Sequence, residues 1–362
     1  MTARFDIAIA GAGMAGASLA AALVTCGARV LLLEAEHAPG YHATGRSAAF
    51  WTESYGGPGV QPLTSASGAV LRDGGYLTPR GALTIARAGQ AAQLEQFAAS
   101  FAAQGVRVEV LGRAALEQHI AGLQPGWTLG ALEPDCSDID VARLHQDYLA
   151  TASQGGAQLW CLARLTSAAR EADGWRITCA DGRQAHAGVL VNAAGAWADE
   201  VAQLAGVNRL GITPYRRTIV QLRTAPSPVA ALPLVLDLGE QFYFKSEAGK
   251  LWLSPHDEVL SPPCDAAPEE LAVAEAIDRM QTVVNWQVER VEHRWAGLRS
   301  FAPDRLPVYG FDLSEARFFW FAGQGGFGIQ TAPAAAALAA GLLCGGELGS
   351  IDPAAFSPAR FR

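Results

Sequence analysis

Lysine is almost missing from this 362-residue chain. Lys245 and Lys250 are the only two, so arginine carries nearly all of the positive charge. The net charge of −8 excludes a basic nucleic-acid footprint, which needs clustered cations. Charged residues make up 17% and hydrophobic ones 50%, which excludes a disordered chain and describes a well-filled core. Cysteine is sparse. Cys26, Cys136, Cys161, Cys179, Cys264 and Cys344 show no CxxC or other metal spacing, so no metal site is expected. They read as buried thiols of a reducing compartment. No apolar run reaches about 18 residues without Gly, Pro or charge, and "MTARF" leads straight into a strand without a signal-type segment. The expectation is a cytoplasmic protein with no transmembrane segment, peripheral membrane attachment being compatible. Its length allows two domains.

What is present begins with "DIAIA", an apolar run of buried-strand type, followed by "GAGMAG" and an Ala- and Leu-rich helix. The strand "RVLLLEAE" completes a strand-turn-helix-strand unit. Gly11 lets the chain turn, Gly13 lets backbone approach a pyrophosphate, and Gly16 lets helix and strand pack closely. The helix start at Met14 and Ala15 offers amides and positive dipole to phosphates. Glu34, followed by Ala35, ends the second strand 18 residues after Gly16 and suits both ribose hydroxyls of an adenosine. A tight turn without ligand does not explain that full context. The motif leaves NAD and FAD both open.

Two more stretches carry chemistry. "GQGGFGIQTAP" (323–333) is a glycine turn opening the last helix, so one long ligand held from both ends of the chain is implied. A helix start near Gly328-Ile329-Gln330 suits negative charge on a flavin edge. "VNAAGAWADE" (191–200) is a buried strand stopping at Ala193-Ala194-Gly195, which reads either as a packing turn with Trp197 in the core or as room for a flat group.

Elsewhere the periodicity predicts a helix from Thr64 to Leu71, a strand over 81–87, and helices over 89–104 and 139–156. It also predicts a β-rich, aromatic stretch from Ile212 to about Leu260 and a helix from about Pro268 to Val283. The fold class expected is α/β: a Rossmann-like FAD-binding domain over 1–79, 139–205 and 294–362, with a discontinuous, β-rich α+β substrate-binding domain over 80–138 and 206–293.

With "GAGMAG…LLLE", "TGRSAA", "NAAGAW", "WAGLRSFAPDRLPVYG" and "GQGGFGIQTA", the chain resembles, end to end, the FAD-dependent amine and D-amino-acid oxidoreductases. That family includes D-amino acid oxidase, glycine oxidase and sarcosine oxidase. Among its members the chain is most similar to bacterial D-arginine dehydrogenase. The resemblance implies cofactor contacts from His42, Thr44, Gly45, Arg46, Ser47, Ala48 and Ala49. It implies others from Ala194, Gly195, Trp197, Gly297, Gly325, Gly326, Phe327, Gly328, Ile329 and Gln330. It implies that Arg299 pairs with a substrate carboxylate, a task for which a planar guanidinium suits better than an ammonium. Tyr243 shares that carboxylate, and Arg217 and Gln324 match further polar groups of the site. Sarcosine oxidases tether flavin through a cysteine close to the position of "RSFAPD"; none stands here, so FAD is expected to be non-covalent.

Departures from the pattern bear on the substrate. Ala82 stands where the D-arginine enzyme has the glutamate that binds the guanidinium, and losing that partner for a buried cation costs several kcal/mol. Phe50, beside Trp51, replaces a histidine, while Thr52 and Tyr55 match. Glu53 is the one nearby carboxylate able to restore cation binding. The expected function is therefore oxidative deamination of non-basic D-amino acids to 2-oxo acids and ammonia, with quinone or oxygen reoxidising the flavin. The alternatives are a same-fold flavin enzyme for a secondary amine, a glycine-type substrate or a 2-hydroxy acid, and a non-catalytic flavoprotein or NAD enzyme.

Overall fold

A computed structural model describes residues 3–361. The centre of its first, eight-stranded sheet is built from apolar runs, as parallel strands require, while Leu165–Glu171, Gly174–Cys179 and Val308–Phe311 add to it antiparallel. Ala3–Ala10 lies at the centre, parallel to Val30–Leu33 on one side and to Gln184–Asn192 on the other. Gln158–Trp160 extends the sheet beyond Val30–Leu33. Phe318–Ala322 joins parallel to the end of Gln184–Asn192. Helices Met14–Thr25, Val141–Gln154 and Ala332–Cys344 cover one face, the first meeting both others. The α/β class is as expected.

A second, ten-stranded sheet is antiparallel except where Ala82–Ala86 runs parallel to Leu234–Asp237. Its spine is the long pair Thr213–Ala225 and Gln287–Phe301. Gln287–Phe301 stays in this sheet throughout, across the boundary expected at 294. Helix Glu270–Gln281 packs on it and buries Val273, Ala276 and Met280. A small third sheet joins Phe50–Trp51, Leu77–Pro79 and Ser137–Ile139.

The periodic elements fall close to where the sequence predicts them. The helix expected over 64–71 runs Gln61–Asp73, that over 89–104 ends as Ala91–Ala102, and that near 268–283 is Glu270–Gln281. The cysteines depart from expectation. Cys136 and Cys179 are buried, Cys161 and Cys264 are half-buried, and Cys26 and Cys344 are exposed at the ends of their helices.

Candidate active site

One cavity of about 540 Å³ runs between the two large sheets, from the glycine turn of residues 11–16 to the Arg217–Arg299 pair. The turn at its first end excludes a side chain at Gly11 and at Gly16. Gly11 has φ +101°, and a Cβ there would collide with the Ala193 carbonyl. A Cβ on Gly16 would collide with the Gly11 carbonyl, so Gly16 shapes the turn from behind without lining the cavity. Glu34 is buried and half-committed: its Oε2 accepts from the Ala12 amide (3.2 Å) and its Oε1 from the Glu36 amide (2.9 Å). Thr44 reaches back so that its Oγ1 accepts the Met14 amide at 2.9 Å. His145, which the sequence reading missed, donates from Nε2 to the Ala12 carbonyl at 2.9 Å. Burial holds its imidazole below the usual histidine value, so it serves as a neutral donor. Beside this end His42 pairs with Glu36 (3.1 Å) and leans on the Trp197 ring, 4.6 Å between centroids.

Midway, the short turn Thr44–Arg46 carries Ser47, Ala48 and Ala49 along the cavity wall. Arg46 lines the wall, yet its guanidinium donates to the Ala266 (2.9 Å) and Ala296 (3.1 Å) carbonyls and pairs with Asp265. It therefore ties this turn to the second sheet. Gly45 sits behind the lining, where a Cβ would press on the Gly40 carbonyl at 2.8 Å.

At the far end the strand pairing sets the chemistry. Tyr215 opposes Arg299 and Arg217 opposes Gly297, which brings both arginines to the cavity mouth. Arg217 is 5% exposed; its Nε donates to the Asp257 carbonyl (2.9 Å), while Nη1 and Nη2 have no hydrogen-bond partner. Burial, then the neighbouring Arg299, pull its pKa down from the usual guanidinium value. Arg299 donates from Nη1 to the Tyr55 hydroxyl at 3.1 Å and pairs through Nη2 with Glu258. Tyr243 is buried, with Arg217 over its ring and His256 edge-on to it. Burial and the adjacent Arg217 and Arg299 push His256 down to about 2, so it stays neutral. Phe50 lies edge-on to Tyr55 (5.2 Å) and Tyr243 (5.9 Å) and completes an apolar wall with Ile219.

Most of the residues singled out from the sequence converge on this cavity, but five do not line it: Gly16, Gly45, Phe327, Thr52 and Ala82. Phe327 packs behind the wall against Tyr55 and Phe301. Thr52 is buried and donates to Glu133 at 2.6 Å. Ala82 is buried opposite Glu133 in its strand pair. Glu53 is also off the wall: its carboxylate accepts from the Ser65 hydroxyl and does not line the cavity. Trp51 is turned away and donates to the Thr64 carbonyl at 3.0 Å. Gln324 lines the cavity while donating to the Phe321 carbonyl, and Gln330 spans Tyr55, Thr64 and Thr52. Glu133, Asp257 and Glu258 carried no sequence signal, because each acts on a residue distant in the chain.

An adenosine-type ligand fits this geometry: glycines where side chains are excluded, a carboxylate at the end of the second strand, and a continuous cavity beyond. Comparison with known proteins agrees. The family model described as "FAD dependent oxidoreductase" (DAO) matches residues 6–342. The hydrogen cyanide synthase subunit HcnC of Pseudomonas aeruginosa is 29% identical over 186 residues, 50% of this chain and 43% of that protein. The mouse FAD-dependent oxidoreductase domain-containing protein 1 is 25% identical over 48% of this chain and 39% of its own length. These matches thus span less than half the length of either relative. Among solved structures, glycine oxidase from Geobacillus kaustophilus superposes with a TM-score of 0.86 at 22% identity, covering 99% of both chains. L-Proline dehydrogenase from P. horikoshii gives 0.88 at 19% identity, over 100% of this chain and 98% of its own. The chain belongs to the DAO family of FAD-dependent oxidoreductases.

Proposed function

For this member of the family, we propose oxidative deamination of D-amino acids with non-basic, apolar side chains, giving 2-oxo acids and ammonia. The observation that carries it is the far end of the cavity: two guanidiniums and two tyrosines beside an apolar wall, with no carboxylate among the lining residues there. Arg217 and Arg299 would grip an α-carboxylate. The unpartnered Nη1 and Nη2 of Arg217 supply its donors, and the hydroxyls of Tyr55 and Tyr243 add to them. With Ala82 buried and Glu53 facing Ser65, nothing here matches a cationic side chain, whereas Phe50 and Ile219 favour an apolar one. The D configuration rests on the resemblance of the motifs.

FAD would be held non-covalently by Gly11, Gly13, Glu34, Thr44, Ser47 and the 325–330 turn, and when bound it supplies the acceptor for the hydride leaving Cα. Segments 1–79, 139–205 and 294–362 would hold the cofactor, while 80–138 with 206–293 would bring Arg217 and Tyr243 to the substrate end, which Phe50, Tyr55 and Arg299 complete from the first set. The protein's own part is orientation and charge. The arginines would fix the carboxylate and so hold Cα within the cavity. No histidine or carboxylate lines this end, so the substrate ammonium gives its proton to water. The imino acid then hydrolyses in water to the 2-oxo acid and ammonia.

The test is anaerobic mixing of the yellow protein with a panel of D-amino acids. Bleaching by D-alanine, D-valine or D-phenylalanine is expected, with D-arginine far poorer. Bleaching only by glycine, L-proline or a 2-hydroxy acid would sink the reading. Admitting oxygen afterwards reports whether oxygen or a quinone is the acceptor.

A further inference from the structure

The loop after strand Lys250–Ser254 places Glu258 against the outer side of the arginine pair. Its Oε1 pairs with Arg299 Nη2, lies 2.7 Å from Arg305 Nη2 and 3.6 Å from Arg217 Nη2. The side chain is about one-third exposed and lies outside the cavity lining, so it neutralises the pair without filling the substrate's place. Although burial opposes it, Arg299 and Arg305 hold its carboxyl below the usual glutamate range, so it is ionised whenever substrate binds. Asp257 lies 3.9 Å from Arg217 Nε and is otherwise engaged by the Thr218 amide and hydroxyl. Arg216, on the same strand, is matched by Glu269. Around this end, then, Arg217, Arg299 and Arg305 face Asp257 and Glu258, which leaves one net positive charge.

We propose that Glu258 is a specificity-determining residue: by cancelling one guanidinium it tunes the site to a single carboxylate and rejects substrates that carry a second. This rests on the reading of the arginine pair as the carboxylate site. A monocarboxylate balances the remaining charge. A dicarboxylate brings a second negative charge that finds no cation left to balance it in a partly desolvated pocket, where charges act far more strongly than in water. Glu258 is also 41 residues from Arg299 in the chain, so no local motif discloses it.

The holoenzyme of wild type, Glu258→Gln and Arg305→Gln is titrated calorimetrically with butyrate and with succinate, unreactive ligands of equal chain length. In Glu258→Gln, succinate should gain about tenfold or more over butyrate. In Arg305→Gln, which leaves Glu258 with one partner fewer, the ratio should move the other way. In parallel, D-glutamate should become a better reductant of the flavin in Glu258→Gln relative to D-valine. Equal changes for both ligands would reduce Glu258 to a structural residue and overturn the proposal, as would failure of butyrate to bind the wild type. A wild-type flavin that no D-amino acid reduces would end the activity reading, while the two titrations would still decide about Glu258.

Discussion

A buried guanidinium with two free nitrogens is costly to the empty protein and useful only once an anion meets it. Arg217 is in that position, held by one bond to the Asp257 carbonyl. Arg217→Met keeps the bulk and removes a buried guanidinium that Asp257 (3.9 Å) and Glu258 (3.6 Å) offset without hydrogen-bonding its two terminal nitrogens. The cofactor-free variant should melt at the same temperature as wild type or higher, while half-saturation by a D-amino acid rises about 100-fold or more. A melting temperature several degrees lower would show that Arg217 is structural. Arg299 differs because Tyr55 and Glu258 already occupy part of it. Both arginines were legible from the sequence through the motifs that hold them. The groups that set their electrostatics, Glu258 and Asp257, were not, because a turn brings them there from another strand.

Among the elements, the stretch 50–55 shows how a segment can be read correctly and its residues unevenly. Comparison with the family pattern singled out Phe50, Thr52 and Tyr55, and of these Phe50 and Tyr55 form a wall of the cavity. Extended backbone turns successive side chains to opposite sides, so Trp51 goes to the core while Phe50 faces the cavity; the strand ends there, and Thr52 turns to Glu133. What holds the segment is Glu133, which accepts from the hydroxyls of Thr52 (2.6 Å) and Ser54 (2.5 Å) and from the amides of Glu53 (2.7 Å) and Ser54 (3.2 Å). Burial pushes its pKa up, and those four donors work against that shift. Glu133→Gln puts an amide N–H₂ where donors already point, and should cost about 2–3 kcal/mol of stability. Because Tyr55 loosens with it, half-saturation by substrate should rise as well. Urea midpoints and anaerobic titration check both; a variant as stable as wild type would show that the donors are satisfied without the carboxylate.

On the scale of the whole molecule, the cavity is the joint between the sheets. Gly11 and Gln330 both line it, as do Thr166 from the first sheet and Ile219 from the second. The sequence showed this as glycine turns at both ends of the chain, since one long ligand spanning them is what repeats that pattern. The depth to which the second sheet enters was hidden, because strand Gln287–Phe301 keeps Thr213–Ala225 as its partner along its whole length and passes the expected boundary without a break. Arg46, tied to Ala266, Ala296 and Asp265, bridges the sheets beside the cavity, and a ligand filling the cavity would add to that link. FAD should therefore stabilise both sheets together. With free FAD at ~1,000 times its dissociation constant, mass action adds about 4 kcal/mol. With an unfolding entropy scaled to this length, that is a rise of about 5 °C in melting temperature. Stripping the flavin and restoring it, followed by calorimetry, should move one cooperative transition down and back. If only part of the heat absorption shifted, the cofactor would belong to the first sheet alone, and the arginine end would have to be organised without it.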